Sequence, residues 1–113
     1  MIQRLRAEGH RGAWLTLLGE VAALAGPSAE LLWHEEKVWD SAMFSGAWHT
    51  IALGFLGTEA IAAGEAYVAA LPDHEFPVSC RFVAEAKVIS VEHLTGSLPQ
   101  MKVEAKFLWV DQA

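Results

Sequence analysis

One cysteine in 113 residues, Cys80, excludes an internal disulfide and any all-cysteine zinc site. Flanked by Ser79 and Arg81 in a strand-like run, it reads as a small buried filler, and a chain without disulfides suits a reducing cytoplasm. Positive charge is also scarce: eight Lys and Arg stand against fourteen Asp and Glu, for a net charge of −6. Nucleic acids and anionic membranes both recruit proteins through lysine and arginine, so this balance argues against either partner. The one basic cluster, Arg4, Arg6 and Arg11, is interrupted by Glu8.

Long apolar runs are missing too. Glu20 cuts off the run from Ala13 to Leu18, which makes a poor signal peptide. The uncharged stretch Ser41 to Thr58 contains Gly46, Gly54 and Gly57, and its last part alternates like a strand rather than spanning a membrane. No GxGxxG, phosphate-loop or GxSxG pattern occurs, nor any HxH, HxxxH or HExxH spacing, so neither cofactor nor metal is expected.

What is present is apolar mass. Apolar residues are 53% of the chain, against a usual value of about 45–50%. Five tryptophans each bring a large area to bury. The length suits one domain over residues 1–113. That excess must be hidden by packing, a partner or a ligand.

A second feature is an internal echo. Gly19-Glu20-Val21-Ala22-Ala23-Leu24-Ala25-Gly26-Pro27 returns 45 positions later as Gly64-Glu65-Ala66-Tyr67-Val68-Ala69-Ala70-Leu71-Pro72. Glu35-Glu36-Lys37-Val38 returns 50 positions later as Glu85-Ala86-Lys87-Val88. Each copy reads as a helix running into a strand.

Trp14, Leu17, Leu18, Val21 and Leu24 recur at helical spacing, which predicts a helix over His10–Ala25 ended by Gly26-Pro27. Glu30–Asp40 and Ala47–Phe55 read as strands joined through Ser41–Gly46. Thr58 is placed to cap a second helix to Leu71, whose sheet-facing residues are Ile61, Gly64, Val68 and Leu71. Gly64 allows that helix to come close to the sheet. Two more strands come after it, Val78–Glu92 and Met101–Val110, with a turn at Gly96–Pro99. Met1–Glu8 is either a further short strand or the start of the first helix.

The resulting fold class is α+β, a two-layer sandwich with two helices on one face of an antiparallel sheet of four or five strands. With an opening strand the order is the ferredoxin-like duplicated split βαβ; without it, the order is the permuted αββαββ.

Two helices cover one face, yet apolar residues alternate toward both. Met101, Val103, Ala105, Phe107 and Trp109 share one side, whereas Val83, Ile89 and Val91 oppose Cys80, Phe82, Ala84, Ala86 and Val88. The expectation is a homodimer through the open sheet face.

The densest polar cluster is His34-Glu35-Glu36-Lys37, with His49 on the next strand. A register pairing Lys37 with His49 would gather Glu35, Lys37 and His49 between Trp33 and Trp39. The echo of Glu35 and Lys37 in Glu85 and Lys87 makes that pair a structural habit, leaving His49 as the better acid–base candidate, oriented by Glu35 or Glu36. A metal site would need His34, His49 and Glu36 to meet, which only one register permits. His74-Glu75, between Pro72 and Pro77, reads as a turn. Trp14 and Trp109 read as core.

These residues describe a small soluble module without catalysis. It would self-associate and hold an apolar ligand or a protein partner on Trp33, Trp39, Phe44, Trp48 and His34. The alternative is a dimeric α/β-barrel-type enzyme or ligand sensor working through His49 with Glu35 or Glu36. A third class is a subunit of a larger, phage-type assembly.

Overall fold

A computed structural model describes residues 2–76 and 83–112, with side chains over 14–76 and 83–110. Cys80 and the strand start expected at Val78 lie outside the described residues. The first element, α1, runs over Ile2–Ala25, so the opening segment is helix and not strand. Gln3, Arg4, Leu5, Arg6, Ala7 and Glu8 all favour helix, and the only β-branched residue among the first eight is Ile2. After it come β1 (Glu30–Asp40), β2 (Phe44–Leu56), α2 (Thr58–Ala70), a 3₁₀ turn (Leu71–Asp73), β3 (Val83–Leu94) and β4 (Gln100–Gln112). The order is αββαββ.

All strand pairs are antiparallel, and the sheet order is β1–β2–β4–β3. Moving β4 to the front of the chain would give the ferredoxin-like order, so this is its permuted form. The order helix–strand–strand occurs twice, and the second strand of each half meets its counterpart at the centre of the sheet. Glu35 pairs with Thr50 and Lys37 with Trp48, as Glu85 pairs with Leu108 and Lys87 with Lys106. Laying one half on the other therefore places His49 on Phe107. His49 and Phe107 are themselves paired across β2 and β4, so the local two-fold passes through that pair.

The core fills the space between helices and sheet. Leu17, Val21 and Ala25 descend from α1, one turn apart. They meet Ile51, Leu53 and Phe55 of β2 and Met101, Val103, Ala105 and Phe107 of β4. From α2 the buried residues are Ala60, Gly64 and Tyr67, with Leu71 coming next in the turn. Ile61 and Val68 pack partly against them, so Tyr67 holds the position expected of its neighbour. Trp109 is 8% exposed, as expected of core, while Trp14 is only half-buried, packed against the central cluster. Each large apolar side chain removed from water contributes roughly 1.5–3 kcal/mol.

Gly64 sets the height of α2 above the sheet. A Cβ there would sit 2.5 Å from Met101 Cε and 2.9 Å from Phe55 Cγ, which no side chain tolerates without movement. Gly57, at φ 93°, precedes α2 as its N-cap without a side-chain hydrogen bond; Thr58 is the first helical residue and not the cap.

The alternation of β4 is as expected, with Met101, Val103, Ala105, Phe107 and Trp109 buried. That of β3 is not. Bulges between Val83 and Glu85 and between Val88 and Ser90 shift the register, and each added residue reverses the facing of the strand beyond it. Val83, Ala86, Val88 and Val91 thereby pair with Trp109, Phe107, Ala105 and Val103 on the helix side. Val83 and Val91 do not oppose Ala86 and Val88, and the uncovered face carries less apolar area than the unbroken alternation implied.

Candidate functional site

The polar residues of the first hairpin divide between the two faces of the sheet. Across β1 and β2, His34 pairs with Ile51, Glu36 with His49 and Lys37 with Trp48. Paired residues share a face, so His34, Glu36 and His49 lie beneath the helices. Glu35 and Lys37 point the other way. The cluster of Glu35, Lys37 and His49 is thus not formed, and Glu35 cannot orient His49. The register found is the one that unites His34, Glu36 and His49.

Under α1 these groups form two layers, an indole above a pair of imidazoles. The Trp14 indole lies on the His34 ring, with centroids 3.5 Å apart and planes within 8°. His49 lies beside His34 in nearly the same plane, its ring centroid 5.1 Å from that of His34 and 5.7 Å from that of Trp14. His34 Nε2 and His49 Nδ1 are 2.9 Å apart and share a hydrogen bond, which requires one nitrogen to donate and the other to accept. Glu36 Oε2 lies 3.9 Å from His49 Nδ1.

Burial lowers the His34 pKa from its ordinary value, and the Glu36 carboxylate opposes that shift without cancelling it. Two imidazoliums could not share this bond, so the neutral state of His34 fits the geometry. His49 is 4% exposed at the centre of the sheet. A substrate atom would have to displace Trp14 to reach it. No group of three or more His, Cys, Asp or Glu among the described residues is arranged to hold a metal ion.

Trp14 was legible as a sheet-facing residue from its helical stripe, but its place over His34 was not. Nothing in the spacing of α1 says which strand lies below it.

The uncovered face is aromatic at one side and charged at the other. Trp33, Trp39, Phe44 and Trp48 share it, as the strand alternation of β1 and β2 requires. Trp39 lies over Gly46, its cross-strand partner, where the missing side chain makes room for an indole. Its Nε1 is buried without a hydrogen-bond partner among the described residues. Trp48 has Lys87 Nζ at 5.6 Å and Lys106 Nζ at 5.5 Å from its ring, a pair of cation–π contacts. Beyond it, Lys102 reaches Glu104 at 3.5 Å and Glu92 at 4.0 Å, and Lys87 reaches Glu85 at 3.7 Å. Exposed ion pairs of this kind contribute about 0–1 kcal/mol each and keep that half hydrated.

His74 has a structural role. Its Nε2 lies 2.8 Å from Glu20 Oε1, tying the loop after α2 to α1, and its ring meets Phe76 edge-on at 4.8 Å. Phe76 in turn meets Phe107 at 6.1 Å.

No helix among the described residues is long and apolar enough to cross a membrane. The chain matches no protein-family model and no curated protein. Among solved structures it is similar to the type 4 fimbrial biogenesis protein PilO from Pseudomonas aeruginosa, at 16% identity and a TM-score of 0.48, over 84% of this chain and 67% of that one.

Proposed function

We propose that this chain is a non-catalytic binding and assembly module whose contact surface is the uncovered sheet at its β1–β2 side. One observation carries the reading: Trp33, Trp39, Phe44 and Trp48 are gathered on one face of one hairpin, while the rest of that face is laced with Lys–Glu pairs. Trp33 is 39% exposed and Phe44 42%, where a monomer has no use for them. Aromatic residues at such a density anchor interfaces, and a charged rim around them sets register and specificity. Such a surface serves self-association, or the capture of an apolar ligand or protein partner. The single cysteine suits a reducing compartment.

Sedimentation velocity from micromolar to about 100 µM, combined with binding of an anilinonaphthalene sulfonate dye, tests this reading. The wild-type chain should show one or both, and Trp33→Ala with Phe44→Ala should lose them while keeping its far-UV circular dichroism. A monomer that binds no dye at any concentration defeats the proposal.

A second reading draws on the 2.9 Å contact between His34 and His49 beside Glu36. A histidine pair with a carboxylate can accept and return a proton, as acid–base chemistry or a ligand sensor requires. Its weakness is access, because Trp14 roofs the pair. If it holds, His49→Gln abolishes turnover or ligand response without loss of fold.

A further inference from the structure

The two edges of the sheet, β1 and β3, are built differently. β3 carries two bulges, which break up the row of backbone groups that an added strand would need. β1 has its irregularity at the start, between Leu31 and Trp33; from Trp33 to Asp40 its register with β2 is continuous, without proline. Every residue of β1 except His34 and Trp39 is exposed, so among the described residues nothing covers the outer edge. A long, regular, uncovered edge pairs with another strand unless something blocks it.

The side chains along this edge say what kind of strand it fits. On the uncovered face β1 reads Trp33, Glu35, Lys37, Trp39, which in reverse is the same pattern with the charges exchanged. We propose that the partner is a second copy of this chain, joined β1 to β1 in antiparallel register about a two-fold axis at Glu36. The proposal rests on the reading that the β1–β2 side is a contact surface, and it names the occupant.

In that register Trp33 stands opposite the second copy's Trp39, and Glu35 opposite its Lys37, twice by symmetry. No ion pair joins Glu35 or Lys37 to another described residue, whereas the corresponding Glu85 and Lys87 satisfy each other at 3.7 Å. Beneath the helices, Val38, 59% exposed, gains the second copy's His34 as its cross-strand neighbour. The two Glu36 carboxylates meet at the axis, a like-charge pair that opposes dimerisation and that the flanking Glu35–Lys37 pairs must outweigh; each has His49 of its own chain 3.9 Å away. Trp14 on His34 places α1 above the β1–β2 half.

Cysteine crosslinking of the full chain in a Cys80→Ser background tests the axis directly. Glu36→Cys should form a disulfide-linked dimer on mild oxidation, because the axis puts its two copies directly opposite. Thr50→Cys, on the uncovered face, should not crosslink. Glu35→Lys should weaken dimerisation by roughly tenfold or more, and adding Lys37→Glu should restore it.

Crosslinking through Thr50→Cys in place of Glu36→Cys would mean that two sheets stack face to face, which overturns the register. A chain that stays monomeric at about 100 µM, yet still binds dye through its tryptophans, overturns the second copy as partner and leaves the contact surface standing. Loss of both defeats the two readings together.

Discussion

Gly19 and Gly64 occupy matching places in the echoed segment, and the structure assigns them opposite responses to the same substitution. Replacing glycine by alanine inside a helix is worth about 1 kcal/mol in backbone entropy and helix propensity. At Gly19, on the exposed side of α1, a new Cβ meets nothing within 4 Å. Gly19→Ala should therefore stabilise the fold by roughly 0.5–1 kcal/mol.

At Gly64 the same methyl group would lie 2.5 Å from Met101 Cε and 2.9 Å from both Cδ2 and Cγ of Phe55. The methionine end can swing aside, but Phe55 Cγ is the root of a buried ring that also packs against Tyr67, with centroids 6.5 Å apart. Lifting α2 enough to make room costs about 1–3 kcal/mol by analogy with other overpacked cores. The net effect of Gly64→Ala is then a loss of about 0–2 kcal/mol, and Gly64→Val, without the propensity gain, loses more. Urea unfolding followed by tryptophan fluorescence, at one protein concentration, reads both variants on the same scale. Equal stabilisation at both sites would refute the claim that Gly64 is there for lack of space.

Tyr67→Phe should raise stability by about 1 kcal/mol, because the Tyr67 hydroxyl is buried without a hydrogen-bond partner among the described residues and its removal relieves an uncompensated desolvation. Burial also pushes the Tyr67 phenol above its ordinary value, so this single tyrosine should ionise only as the protein unfolds in alkali, seen as coincident absorbance and circular dichroism transitions. The lowered pKa of His34 has a definite sign: its contribution is complete above the unfolded value of 6.5 and is lost as pH falls below it, since the unfolded chain then binds more protons. Unfolding midpoints between pH 5 and 7.5 should show this slope in the wild type and a shallower one in His34→Gln. A double-mutant cycle on Glu20 and His74 should return a coupling of about 0.5–1 kcal/mol, because the pair is only partly shielded from water.

Most of the fold could be read from residue pattern. The stripe of Trp14, Leu17 and Val21 fixed the inner side of α1, and the strict alternation from Met101 to Trp109 fixed β4. Helix-forming residues before Gly9 settle the opening segment only in retrospect, because a short run of mixed polarity carries no period. The bulges of β1 and β3 had no signature at all. A bulge depends on how a strand meets its neighbour, and one added residue exchanges the two faces, so Val83 and Val91 were assigned to the wrong side.

The candidate site was half legible for the same reason. Alternation within β1 put His34 with Glu36, but whether His49 joined them depended on a cross-strand register that neither strand encodes alone. Tyr67 was hidden by position, since α2 is so rich in alanine that its inward side is poorly marked.

Unequal edges have a consequence for growth. A sheet whose two borders were alike could add copies at either side and extend without limit, as fibrils do. If β1 pairs with a second copy as proposed, the bulged β3 border offers no matching row of backbone groups, and growth by strand addition at the described edges would stop at two copies.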